Sequence, residues 1–200
     1  MKKILALGLL PALALAACNG NTAGNTTANT ADADVSNSGL ATDTLTPGNE
    51  ADNALMTGEA ATPSQKFAND VGASDFFEIQ SGKLAQDKAQ NQALKDFGAM
   101  IVQHHTESTQ KLTAAGAKAQ PAIVPSPALN AEQEANLAAL DKASGAEFDT
   151  LFKKQQTLAH EKALTIIKGY EATGDVAELK VFAAEAQKVV QSHLTKIKSL

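Results

Sequence analysis

The side chains best suited to chemistry are four histidines and one glutamate: Glu78, His104, His105, His160 and His193. Imidazole nitrogens and carboxylate oxygens are common ligands of transition metals in proteins. Glu78 in particular needs a partner, because an unpaired carboxylate is costly to bury. These residues therefore define a candidate metal site, with Glu78, His105, His160 and His193 as its ligands. His104 is a weaker candidate, as the neighbour of His105.

The periodicity of apolar residues places each candidate ligand on the inner face of a helix. Spacings of three and four residues predict four long helices over 64–89, 91–118, 144–172 and 175–200, and a short one over 130–142. The apolar stripes of the long helices carry, in order, Glu78, His105, His160 and His193. At the rise of an α-helix, the four lie within roughly 9 Å of one another in height. An up-down-up-down order and an order with a long crossing after the second helix fit these heights equally well.

Capping residues and prolines set the predicted boundaries. Three helices open on capping pairs, namely Asn130 with Gln133, Ser144 with Glu147, and Asp175 with Glu178. Gly174 is placed to end the third long helix, and Pro121, Pro125 and Pro127 exclude helix from the connection before it. The sequence thus predicts an all-α fold, a four-helix bundle with a short extra helix in the crossover.

The same histidines have a plainer interpretation. A histidine on an apolar stripe is usually a hydrogen-bonded core residue, and the chain would then be a non-enzymatic structural or interaction protein. A metal enzyme would need an open coordination position beside an acid or base, and the sequence identifies no substrate pocket. No Glu-x-x-His pair occurs, so the ligand set of di-iron carboxylate bundles is missing. A histidine-rich set suits zinc, copper or nickel better than a di-iron oxygen-activating centre. The possible metals are therefore zinc, copper, nickel and iron.

The N-terminus predicts export and lipidation. Residues 1–17 combine a basic start, an apolar stretch over 4–14 and two alanines directly before the only cysteine, Cys18. This pattern resembles the lipobox of bacterial lipoproteins, in which the cysteine carries the lipid anchor; an ordinary secretory signal is the alternative. Asn19 is not the aspartate associated with inner-membrane retention, so we expect an outer-membrane anchor facing the periplasm.

A long acidic tether is predicted between the anchor and the helices. Residues 18–63 contain six acidic residues and no lysine, and are rich in Asn, Thr, Ala and Gly. Such a segment cannot bury enough apolar surface to fold, and as a flexible coil it would reach about 35–40 Å. The whole chain has 17 basic residues, all lysine, and a net charge of −5, which argues against nucleic acid as a partner. The sequence is compatible with a homo-oligomer, and it predicts no other protein partner.

Several segments together resemble one bacterial family. They are Phe76-Phe77-Glu78-Ile79, Gly82-Lys83-Leu84-Ala85 and the run from Phe97 through Met100-Ile101-Val102-Gln103-His104-His105-Thr106. They are similar to the domain-of-unknown-function 4142 family, and the resemblance spans residues 63–198. It implies a ferritin-like helical bundle in an exported protein whose activity is not established. His160 and His193 fall where the family also tends to carry histidine, whereas His104 replaces its usual aspartate.

Overall fold

The structure, a computed structural model, describes residues 61–200. This part of the chain is helical, with α1 at Pro63–Lys88, α2 at Gln92–Gly116, α3 at Ala131–Lys142, α4 at Gly145–Thr173 and α5 at Ala177–Ser199. The all-α class and the five predicted helices are confirmed, with ends within about two residues of those expected. Within 61–200, no helix is both long enough and apolar enough to cross a membrane. The predicted signal peptide (1–17), Cys18 and nearly all of the predicted tether (18–63) lie outside the described residues.

The helix starts agree only partly with the predicted caps. Asn130 and Gln133 form the expected reciprocal capping box at α3. Ser144 is the N-cap of α4, but its side chain makes no capping hydrogen bond. The next residue, Gly145, has a left-handed backbone conformation (φ 61°), which is not that of a regular first helical turn. The prediction for Asp175 was wrong by one residue, because Val176 is the N-cap of α5. The Asp175 carboxylate instead accepts a hydrogen bond from the Ser64 hydroxyl at the start of α1.

The helix contacts decide the topology that the sequence left open. α1 packs against α2 and α4, and α5 packs against the same two helices. The backbone N–H groups of Gln90 and Asn91, after α1, donate to Asp149 at the start of α4, each at 3.0 Å. Helix α4 is therefore antiparallel to α1 and parallel to α2. The connection over residues 117–144, which contains α3, must cross back along the bundle, so the up-down-up-down order is excluded.

Two glycines and a set of aromatic rings fix the packing around the bundle centre. A Cβ atom built on Gly82 of α1 would lie 2.8 Å from the carbonyl oxygen of Gly98 of α2, so the two helices cross backbone to backbone. Phe97 is fully buried, and its ring centroid lies 6.3 Å from those of both His160 and His193. The apolar core therefore surrounds the histidines.

Candidate metal centre

Three of the predicted ligands converge at the centre of the bundle. His105 on α2, His160 on α4 and His193 on α5 each offer a ring nitrogen, and these nitrogens all lie within 4.8 Å of one another. The three side chains are buried, with 5%, 1% and 1% of their surfaces exposed. Their helices cross at this height because the apolar stripes of α2, α4 and α5 face one core.

An aspartate orients His105. Its Nδ1 lies 2.7 Å from Oδ1 of Asp75 on α1, and the hydroxyl of Thr109 donates to the other carboxylate oxygen at 3.2 Å. Since the carboxylate accepts, this network assigns a proton to Nδ1 of His105. Nε2 of His105 is buried and finds no hydrogen-bond partner in the described part of the chain. When neutral, His105 thus holds a free lone pair on Nε2, as a metal ligand must.

His160 is oriented by its own helix and backed by Glu78. Its Nδ1 donates to the carbonyl oxygen of Gln156 at 2.8 Å, which leaves the lone pair on Nε2. Oε1 of Glu78 lies 3.7 Å from the same Nδ1, and Glu78 is not among the residues whose ligand atoms converge. The structure therefore places Glu78 behind His160, on the side of the ring away from the shared centre.

The fourth histidine contacts the third. Nδ1 of His104 lies 2.8 Å from Nε2 of His193, with the two rings stacked at 5.1 Å. The other nitrogen of His193, Nδ1, lies 3.3 Å from Nε2 of His160. His104 is half-buried and outside the group of three nitrogens. It supports His193 from behind, as Asp75 supports His105.

Burial and neighbouring charges set the protonation of the cluster. Burial, together with the nearby imidazoles of His105, His160 and His104, lowers the pKa of His193 to about 2. Burial likewise lowers the pKa of His160, although the charge of Glu78 acts in the opposite direction. Burial also acts to lower the pKa of His105, but the hydrogen bond and charge of Asp75 and the charge of Glu78 outweigh it, so that pKa is raised. His160 and His193 therefore remain neutral, which is the form that binds metals.

The donor set fits a transition metal ion. Two nitrogens bound to one tetrahedral zinc ion at about 2.0–2.1 Å lie about 3.3 Å apart. That is the separation of His160 Nε2 and His193 Nδ1, 3.3 Å. Each of the three rings has its other nitrogen held by a hydrogen bond, the arrangement that fixes histidine ligands in metal sites. Two buried carboxylates, Asp75 behind His105 and Glu78 behind His160, would supply charge opposite to that of a divalent ion.

Sequence reasoning missed the residues that hold the ligands. On α1 the structure buries Asp75, which was not among the candidates, and leaves its neighbour Ser74 partly exposed. Asp75 follows Val71 by four positions and precedes Glu78 by three, so helical spacing does put it near the face that carries Glu78. On α4 the partner of His160 is the backbone carbonyl of Gln156, which no side-chain pattern reveals.

Comparison with known proteins gives one match. A family model described as Domain of unknown function (DUF4142) matches residues 49–200, which confirms the resemblance drawn from the segments around Phe77 and His105. The match begins within the predicted tether. Neither the curated proteins nor the solved structures contain a match to this chain.

Proposed function

The chain belongs to the DUF4142 family of domains of unknown function, and from its central site we propose that it binds a divalent transition metal. The observation that carries the proposal is the convergence of three buried imidazole nitrogens, from His105, His160 and His193, within 4.8 Å. Three imidazole ligands without a thiolate suit zinc, copper(II) or nickel, and suit iron less. Bound metal would serve storage, buffering or protection against metal stress in the cell envelope.

The surroundings of the three nitrogens support this proposal. A core histidine normally uses both of its ring nitrogens, yet Nε2 of His105 is buried without a partner among residues 61–200. Metal binding would satisfy it. Asp75 and Glu78 also place two buried carboxylates beside the cluster, and a divalent ion would supply charge of the opposite sign.

The tautomers of His193 and His104 have to change together on binding. Without metal, a proton on Nδ1 of His193 satisfies the 3.3 Å contact with Nε2 of His160, and Nε2 accepts from His104. With metal on Nδ1, the proton moves to Nε2 and is donated to Nδ1 of His104. His104 can exchange donor and acceptor roles because neutral imidazole has one of each.

The topology favours a ferritin-like bundle. A single long connection between the second and third long helices, here residues 117–144, is the arrangement of ferritin-like folds. Those bundles build metal sites in the core from inward side chains of facing helices. We assign this fold to the chain on that ground, with the three-histidine set in place of carboxylate ligands.

The envelope location is proposed from the N-terminal pattern. Cleavage before Cys18 and lipidation of its thiol would anchor the chain, with the acidic tether of residues 18–63 between the lipid and the helices. Substitution Cys18→Ala should release the protein from the membrane fraction and remove the mass of the lipid. Unchanged fractionation and mass would contradict the anchor without affecting the metal site.

Elemental analysis tests the metal proposal. The full-length chain, purified without chelator, should carry one transition metal ion per molecule, and chelation should lower its melting temperature. His160→Leu should abolish the bound metal. Gln155→Leu is the matched control, since it also removes a buried polar side chain from α4 but lies outside the histidine cluster. The opposite result would favour a structural protein with histidines in its core. The wild type would then carry no metal above background, and its melting temperature would be unchanged by chelator and equal to that of His160→Leu.

A further inference from the structure

A buried metal centre needs a route by which the ion enters. Resting on the metal-binding function proposed above, we propose that ions reach the three histidines through the cavity between α2 and α5, past His104. This cavity has a volume of about 170 Å³. The residues of its lining that matter here are His104, His105, Glu107, Ser108, Glu185 and Ala186.

The cavity joins the surface to one of the ligands. His105 lines it and is also the ligand whose Nε2 is buried without a partner in the described chain. Glu107 and Glu185, in contrast, are exposed residues of the same lining. An ion that enters past these exposed glutamates therefore reaches a cavity that His104 and His105 line.

The other described cavities do not offer this path. A groove of about 630 Å³ between α1, α3 and α4 is larger, but none of the three histidines lines it. A cavity of about 20 Å³ does touch His105 and Asp75, yet it has room for little more than one water molecule. Of these three cavities, the one between α2 and α5 combines a volume well above that of one water molecule with His105 in its lining.

The side chains along the route suit a cation. Two carboxylates, Glu107 and Glu185, outnumber the one lysine, Lys111, which lies 3.6 Å from Glu185. Negative charge at the mouth of a cleft raises the local concentration of cations and their rate of entry. His104 is half-buried, and its Nδ1 lies 2.8 Å from Nε2 of His193. It therefore offers the entering ion an imidazole before the three buried histidines.

Filling the cavity tests the route. Ala186→Leu adds bulk to the lining, and Ala159→Leu is the matched control, because Ala159 is equally half-buried but lines the groove between α1, α3 and α4. Stopped-flow mixing of the full-length chain with Zn²⁺, followed by a chelator dye, measures association; excess chelator measures dissociation. Ala186→Leu should slow both rates several-fold by the same factor and leave the dissociation constant unchanged, whereas Ala159→Leu should match the wild type.

A charge variant provides a second test that does not disturb packing. Glu107→Gln should lower the association rate constant several-fold at low ionic strength and converge with the wild type in high salt. Glu134→Gln is its control, because Glu134 is exposed on α3 and lines no described cavity. Wild-type rates in both Ala186→Leu and Glu107→Gln would overturn the route while the metal site stands. Absence of Zn²⁺ binding by the wild-type chain would instead overturn the proposed function.

Discussion

Replacing Asp75 by asparagine removes one negative charge from behind a candidate ligand while keeping the shape of the side chain. Asp75 and His105 are both buried, at 2% and 5% exposure, and are joined by a 2.7 Å hydrogen bond. If the asparagine amide presents its NH₂ group, Nδ1 of His105 must accept, and the proton moves to Nε2. That tautomer cannot bind a metal through Nε2.

The expected loss can be estimated from similar contacts in metal sites. Removing an outer partner of a histidine ligand costs about 10–100-fold in metal affinity, which is about 1.4–2.7 kcal/mol at 25 °C. We expect Asp75→Asn to fall in the upper half of this range. The contact is short and buried, and the substitution also removes charge that would balance a divalent ion.

A competition titration with a chromophoric chelator measures this affinity. Asp87→Asn is the matched control, because Asp87 is an exposed residue of the same helix and the substitution changes the charge equally. Asp75→Asn should raise the dissociation constant for Zn²⁺ about 30–100-fold, and Asp87→Asn should leave it unchanged. Equal affinities in the two variants would refute the assignment of His105 as a ligand held by Asp75.

Three further predictions concern acid stability, helix packing and the tautomer of His193. Between pH 7 and 5 the metal-free chain should lose stability in denaturant titrations. In the unfolded state His193 gains a proton below its ordinary pKa, whereas the folded ring, with a pKa of about 2, does not. This difference lowers the free energy of unfolding by about 2 kcal/mol. The lowered pKa of His160 adds to that loss, and the raised pKa of His105 offsets part of it. Stability that rises from pH 7 to pH 5 would contradict the burial of neutral His160 and His193. Gly82→Ala should cost roughly 1–3 kcal/mol of unfolding free energy because its Cβ meets the Gly98 backbone, whereas Gly169→Ala, with open space around it, should stabilise; equal effects would argue against a close α1–α2 crossing. Imidazole ¹⁵N NMR should show the His193 proton shifting from Nδ1 to Nε2 when Zn²⁺ is added, and an unchanged tautomer would exclude Nδ1 as a ligand atom.

Helical periodicity was sufficient to predict that three of the candidate ligands lie in the core, because it acts on whole helix faces. His105, His160 and His193 each continue an apolar stripe, so a sequence pattern can place them in the core of any bundle. Their approach to within 4.8 Å depends on which helices are neighbours. The crossing of residues 117–144 decides that, and equal heights along the helices do not reveal it.

The roles of the α1 carboxylates depend on finer geometry. Glu78 was predicted as a ligand because it lies on the inner stripe, yet it faces Nδ1 of His160 and not the shared centre. Which nitrogen of a ring faces a neighbour follows from side-chain rotamers and the Gln156 carbonyl, which periodicity does not encode. Ser74 and Asp75 are neighbours in α1, so a small rotation of the helix about its axis decides which of the two faces the core.

The most direct test of the three-histidine centre is a titration of the chelator-stripped, full-length chain with Co²⁺, followed by visible absorption. A three-histidine centre should saturate at one ion per chain and give the intense d–d bands of a four- or five-coordinate nitrogen site. Those bands should be lost in His193→Leu but not in Gln155→Leu. A weak spectrum like that of the hydrated ion, or the same spectrum from wild type and His193→Leu, would contradict such a centre.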